Sequence, residues 1–166
     1  MRSIVLIAHN LRSTHNIGSL LRTAEGLGVE KVYITGYSPY PRMTDDSRLP
    51  HIANKLHDAI KKTALGAEEQ VAWEHVEDIE EVLKRLRHDD YQLCALEQTD
   101  TAVDITTFNP TERCALLLGS EVTGIDHDLL AQIPSHLVIP MFGQKESFNV
   151  VQAAAMALYH LRFSSA

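Results

Sequence analysis

The sequence predicts an α/β fold: a mainly parallel sheet with helices on both faces, built by residues 1–166 as one domain. Three observations carry this reading. Short β-rich apolar runs alternate with segments of helical periodicity along the whole chain. Several runs are apolar without alternation, the pattern of parallel strands covered on both sides. At 166 residues the chain is of single-domain size and needs neither disulfide nor metal to hold a core.

The elements follow in order. Residues 4–8 (IVLIA), 31–35 (KVYIT), 71–76 (VAWEHV), 91–97 (YQLCALE), 114–119 (CALLLG) and 136–141 (HLVIPM) read as strands. Ile17, Leu20, Leu21, Ala24 and Leu27 repeat at helical spacing, and Gly28 marks the stop. Residues 51–65 hold a further helix with a more polar pattern. Ile79, Val82, Leu83 and Leu86 form an amphipathic stripe with Lys84, Arg85 and Arg87 outward. The last helix, 148–161, is apolar almost all round, so it is expected to be covered on more than one side, a subunit partner supplying the second surface. Its small residues Ala153, Ala154, Ala155 and Ala157 would permit a close helix approach.

Composition narrows the function classes. The apolar content is 45%, and no apolar stretch reaches the ~18 residues of a membrane span. The N-terminus lacks a signal-peptide pattern, so the expected location is cytoplasmic. Cys94 and Cys114 sit inside apolar runs and read as buried free thiols. The net charge of −7 is unevenly spread. Residues 1–62 carry nine Lys/Arg against five Asp/Glu, whereas residues 63–166 carry six against seventeen. An acidic protein binds nucleic acid poorly by charge alone, but Arg12, Arg22, Arg42, Arg48, Lys55, Lys61 and Lys62 offer a local basic surface, or simply a solvated one.

Two glycine signals resemble nucleotide motifs and fail them. GSEVTG (119–124) follows a strong strand, yet Ile125 and Asp126 stand where a triphosphate loop needs Lys and Ser/Thr. Gly26 and Gly28 end a helix instead of joining strand to helix, so the dinucleotide fingerprint is absent. No His/Cys/Asp cluster has ligand spacing, and His51 and His57 are off-phase for a helix, so no metal is expected. His9 and His15 read as loop residues, Trp73 as core and Tyr37 and Tyr40 as loop filling, with base stacking as the alternative for the aromatic three.

Three segments together point further. They are Asn10-Leu11-Arg12 with Asn16, Gly18 and Arg22-Thr23-Ala24; LLLGSEVTG (116–124); and IPMFGQKESFNVVQA (139–153). In this order they resemble the SpoU (TrmH-like) family of the SPOUT superfamily, RNA ribose 2′-O-methyltransferases that use S-adenosylmethionine. The resemblance spans residues 4 to 162. It implies a C-terminal part threaded into a deep trefoil knot, an exception to the usual connection rules. It implies a cofactor held by the second and third motif loops: Gly119, Glu121, Gly124, Ile139, Met141, Ser147 and Phe148, with Leu96 closing the adenine side. It implies a homodimer through helix 148–161, with each site at or beside the junction of one subunit's first motif and the other's knot. It implies an RNA substrate, tRNA or rRNA, and no metal. Phe148 stands where the family usually has leucine.

The residues support physical roles beside the resemblance. Glycines at 119, 124 and 143 would let backbone approach a ligand without a Cβ. Ser147 is placed to cap the last helix, and Asn149 to project from its first turn. Gly18 and Arg22 share a helix face at i and i+4, so the missing side chain would leave room beside the guanidinium. By resemblance the catalytic set is Arg22, Asn16, Ser147 and Asn149, with Arg12, Asn10 and Arg22 on RNA. An arginine stays protonated, so Arg22 is better described as binding the adjacent phosphate and stabilising a developing alkoxide than as a base. Asn16 would fix a substrate hydroxyl or the loop ends. Glu121 keeps two readings, a ligand contact or a loop-organising carboxylate. Two other functions stay open: a non-catalytic RNA-binding dimer of the same fold, and a base-directed methyltransferase of the superfamily.

Overall fold

The computed structural model describes residues 1–164, so the last two residues of the expected domain lie outside the described residues. Seven parallel strands form one sheet: β1 (Ser3–His9), β2 (Lys31–Thr35), β3 (Trp73–Val76), β4 (Gln92–Leu96), β5 (Val103–Asp104), β6 (Arg113–Leu118) and β7 (Ser135–Val138). Their order is β3-β2-β1-β6-β4-β7-β5. The six expected strands are present. The two-residue β5 was not foreseen, because a pair such as Val103–Asp104 is too short to show any period. Residues 139–141, expected to extend the last strand, instead leave the sheet as loop.

Among the described residues five α-helices cover the sheet: α1 (Thr14–Gly26), α2 (Pro50–Ala64), α3 (Ile79–His88), α4 (His127–Leu130) and α5 (Val150–Phe163). Alternation along the strands divides the core. Ile4, Leu6 and Ala8 face a cluster that includes Ile17, Leu20, Leu21 and Ala24 of α1, Ile60 of α2 and Leu158 and Leu161 of α5. Val5 and Ile7 face Val82, Leu83 and Leu86 of α3 and Leu129 of α4. Both faces are thus covered, as the unbroken apolar runs demand. Cys94 and Cys114 are buried free thiols, and burial pushes the Cys94 thiol up to about 12.

Local chemistry sets the helix ends. Ser13 caps α1 by accepting from the Asn16 backbone N–H, and Asp78 caps α3 by accepting from Glu80. Pro50 opens α2, where its missing N–H costs nothing. Gly28 stops the α1 region with φ +63°, the left-handed geometry that favours glycine.

α5 departs from expectation in one respect. Ala154 and Ala157 are fully buried against this chain's own core. Its outward stripe is Gln152, Met156, Tyr159 and Phe163, spaced at i, i+4, i+7 and i+11. Ala154 and Ala157 therefore serve the approach of α5 to its own core, whereas Ala153 and Ala155 are only partly buried.

Candidate active site

In an open parallel sheet, ligands bind beyond the carboxyl ends of the strands, where connections diverge to opposite sides. β1, β6, β4 and β7 are neighbours here, and their C-terminal loops meet at one edge. A cavity of about 590 Å3 opens between the loops that follow β6, β4 and β7. Its wall includes Leu96, Gly119, Glu121, Gly124, Ile139, Met141, Ser147 and Phe148, all eight residues expected around a cofactor. Leu118, Leu137, Val150 and Ala153 add apolar surface, and Asn149 and Glu97 add polar groups. The volume, and a wall that mixes apolar side chains with as much polar surface, fit a small organic ligand that carries polar groups.

The first motif is wired to this cavity through Glu121. Its carboxylate accepts from the backbone N–H groups of Arg12 (3.0 Å) and Ser13 (3.3 Å) and from the Asn16 side-chain amide (2.9 Å). Burial pushes this carboxyl up, but the Arg12 and Asn16 hydrogen bonds outweigh it, so Glu121 titrates below its ordinary value. The Asn16 oxygen in turn accepts from the Asn149 amide at 3.5 Å. The first motif and two segments more than a hundred residues further along the chain thus share one polar chain. Of the two readings of Glu121, the geometry supplies the loop-organising one, and Asn16 fixes loop ends.

Glu97 is the site residue that sequence reading missed. Just past β4, it accepts from the Ile125 backbone N–H at 2.9 Å. It also lies directly against Gly124, whose φ is +68°. Ser120 and Gly124 exchange backbone hydrogen bonds of 3.1 and 2.9 Å and close the 120–124 loop on itself. The available signal was an acidic residue immediately after a strand whose last residue, Leu96, was already assigned to the cavity.

The glycine roles need correction. A Cβ at Gly119 would strike Gly124 and Ile125, and one at Gly124 would strike Glu97. These glycines are needed by the loop's own closure, while Gly143 has open space around it. A Cβ at Gly18 would strike the Ile60 carbonyl oxygen and the Thr63 hydroxyl. Gly18 therefore lets α2 cross α1 closely and does not make room for Arg22.

Arg22 is exposed and has no hydrogen-bond or ion-pair partner among the described residues, which leaves its guanidinium available. Arg12 contributes its backbone to Glu121, and its side chain is likewise unpaired. Asn10 is different. Held at φ +56°, it accepts from the Tyr37 backbone N–H at 3.2 Å, and its amide nitrogen meets the His9 ring at 3.0 Å. His9 also contacts Thr35 at 2.8 Å, and burial lowers its imidazole below the ordinary value against the opposing field of Asp126. Asn10 and His9 thus organise the loops after β1 and β2.

Ser147 lines the cavity but does not cap α5; that cap is Asn149, accepting from the Val151 N–H at 2.9 Å. The helix starts two residues later than expected, because Ser147 and Phe148 still belong to the cavity loop. Trp73 is half-buried and donates to the Glu68 carbonyl at 2.9 Å. Tyr40 stacks on His75 at 3.8 Å beneath the Arg48 guanidinium, and Tyr37 is exposed. Among the described residues no group of three or more His, Cys, Asp or Glu is placed to hold a metal ion.

Comparison with known proteins follows the same outline. The model of the SpoU rRNA Methylase family matches residues 3–159. A tRNA (guanosine(18)-2′-O)-methyltransferase of Escherichia coli (strain K12) is 28% identical over 156 residues, which cover 94% of this chain and 61% of that enzyme. The chain therefore spans about three fifths of that relative's length. The AdoMet-bound rRNA methyltransferase of Sinorhizobium meliloti superposes with a TM-score of 0.79 at 19% identity, covering 96% of this chain and 56% of that one. A structure described as giving insights into the 2-OH methylation of C/U34 on tRNA superposes at 0.78 with 21% identity, covering 96% of this chain and 94% of its own. At these identities the superpositions establish a shared fold.

Proposed function

The chain belongs to the SpoU rRNA methylase family, and from that premise we propose that it is an S-adenosylmethionine-dependent RNA methyltransferase acting on a ribose 2′-hydroxyl of tRNA or rRNA. One observation carries the reading: the eight residues assigned to the cofactor line one cavity, and Glu121 ties the first motif to its rim. Bound S-adenosylmethionine would supply an electrophilic methyl group on a sulfonium centre. The apolar wall at Leu96, Ile139 and Met141 would receive the adenine, and Ser147, Phe148 and backbone groups of the 119–124 loop would hold the remainder.

Arg22 would bind the phosphate next to the target ribose and stabilise the charge that develops on the 2′-oxygen. The absence of a side-chain partner among the described residues suits a group reserved for substrate. Asn16 and Asn149 would position that arginine's helix against the cavity, and Arg12 would contact the RNA backbone. Any contact from Asn10 would be through its backbone, since its side-chain amide is engaged inside the protein.

The reading extends to the finer architecture. A deep trefoil knot in the C-terminal part agrees with the order β6-β4-β7, in which an earlier strand lies between two later ones. It agrees also with the return of α5 onto β1, β4 and β6. A homodimer formed through the expected 148–161 segment agrees with Met156, Tyr159 and Phe163 lying exposed along α5. No helix among the described residues is long and apolar enough to cross a membrane, and the proposed location is cytoplasmic.

Calorimetric titration tests the reading. S-adenosylmethionine should bind the folded protein, and S-adenosylhomocysteine should compete. Absence of heat with both ligands overturns the enzymatic reading in favour of a non-catalytic RNA-binding dimer. A methyl group recovered on a base instead of a ribose favours the base-directed alternative.

A further inference from the structure

We infer that α2 is a docking rail for the phosphate backbone of the RNA substrate, carrying Lys55, Lys61 and Lys62 as a continuation of the cationic edge begun by Arg12 and Arg22. The inference rests on the proposed RNA substrate and adds the surface that receives it. The chain's charge is segregated: residues 63–166 hold six Lys/Arg against seventeen Asp/Glu, whereas residues 1–62 hold nine against five. Outside this region the cations are mostly engaged. Arg85 pairs with Glu74 and Glu81, and Arg162 donates to three backbone carbonyls. Lys55, Lys61 and Lys62 are exposed and have no ion-pair partner among the described residues.

Position makes this more than a solvated face. The Thr63 hydroxyl donates to the His15 carbonyl oxygen at 2.9 Å, and Gly18 admits the 60–64 backbone directly against α1. The C-terminal turn of α2 therefore sits on the first turn of α1, the turn that carries Asn16 and is bonded to Glu121 at the cavity rim. Lys62 and Lys55 are seven residues apart on one helix face, about 10 Å along the axis. Lys62 immediately precedes Thr63, which bonds the first turn of α1, and Lys55 lies two turns back along the outer face of α2, away from the buried Ala53, Ile60 and Ala64. The macrodipole accounts for a lysine in the last turn, but not for Lys55 in the middle of the helix. Asp58 lies on the same face and lessens the field without reversing it.

The test compares opposite faces of one molecule. Lys55→Glu and the pair Lys61→Ala/Lys62→Ala are measured against Lys84→Glu, an exposed position on α3 across the sheet. Fluorescence anisotropy with a bulk tRNA and rRNA-fragment preparation, over a salt series, gives affinity and slope. The α2 variants should weaken RNA binding about tenfold and reduce the salt slope by about one per lysine removed. Lys84→Glu should change neither by more than about twofold. S-adenosylmethionine affinity should be unchanged in all three, which also reports intact folding. Equal RNA affinity and slope in wild type and α2 variants overturns the rail while sparing the methyltransferase reading, and so does an equal loss in Lys84→Glu. Wild type that binds the cofactor but no RNA overturns the RNA reading itself.

Discussion

The Glu121 carboxylate accepts a hydrogen bond from the Asn16 side chain at 2.9 Å, joining the loop after β6 to the first turn of α1. The same carboxylate accepts from two backbone N–H groups, so its charge is needed at the place where the first motif meets the cavity. Its folded pKa lies below the ordinary 4.5. The stabilisation is therefore fully present above that value and is lost as pH falls through the lower, folded value. Glu121→Gln should lower the thermal midpoint at pH 7 and flatten its dependence on pH below about 4.5 relative to wild type. An unchanged midpoint and an unchanged acid limb would show that the three bonds do not hold the loop. Asn16→Ala should weaken S-adenosylmethionine binding by a similar factor to Glu121→Gln, and the double variant should cost little more than either.

Two glycines make the sharpest stability prediction. Gly18→Ala places a methyl against the Ile60 carbonyl, and Gly124→Ala adds a Cβ at φ +68° against Glu97. Each should destabilise the fold by about 1–3 kcal/mol, read by denaturant midpoint. Gly143→Ala meets nothing within 4 Å and should be neutral. A Gly18→Ala variant as stable as wild type would mean that α1 and α2 can separate freely.

The contrast among these glycines shows what the sequence could carry. Strand runs, α1 and α3 were legible because burial on one or both faces writes a period into the residues: Ile79, Val82, Leu83 and Leu86 need no partner to be recognised. The cavity residues were legible only through a motif resemblance, since nothing in the period of residues 119–124 or 139–149 shows that they meet. What Gly18 faces is a property of the crossing with α2, at Ile60, Thr63 and Ala64 more than forty residues along, and no local pattern reports it. Glu97 and the Asn16–Asn149 contact were hidden for the same reason: each depends on which strand ends become neighbours.

Arg22→Ala should abolish methyl transfer while leaving S-adenosylmethionine affinity nearly unchanged. The residue is exposed, its side chain has no hydrogen-bond or ion-pair partner among the described residues, and it does not line the cavity. Arg22→Lys should recover only part of the activity, because an ammonium cannot offer the forked donors that span a phosphate and an adjacent oxygen. Ser147→Ala and Asn149→Ala should weaken the cofactor as well, the latter also by removing the α5 cap at a cost of about 1 kcal/mol. Retained turnover in Arg22→Ala would move the role to Asn16 or Arg12.

Self-association should depend on the exposed stripe of α5 and not on its alanines. Met156→Glu or Tyr159→Glu should give a folded monomer in sedimentation, with an unchanged circular dichroism spectrum. Ala154→Glu and Ala157→Glu would bury a charge in the chain's own core, where both residues are fully enclosed, and should unfold the protein. A dimer that survives both stripe variants would place the contact on another surface.

The methyl group should be found on a ribose 2′-oxygen. Deprotonating a sugar hydroxyl creates negative charge beside a phosphate, and one guanidinium can serve both oxygens; Arg22 and Arg12 are exposed cations of the motif that abuts the cavity, with no side-chain partner among the described residues. A base nitrogen as acceptor would favour a carboxylate there, but Glu121 is already committed to Arg12, Ser13 and Asn16. Of the other acids, Glu97 is engaged by the Ile125 N–H on the cavity wall, Glu146 lies on the cavity loop before α5, and Glu25 is at the far end of α1. A 2′-O-methyl group blocks attack of that oxygen on its own phosphodiester, so the modified linkage resists alkali. RNA incubated with methyl-labelled S-adenosylmethionine and then hydrolysed in base should keep the label in an alkali-stable dinucleotide. Label released in mononucleotides bearing a methylated base would sink the ribose assignment and leave the fold and the cavity as described.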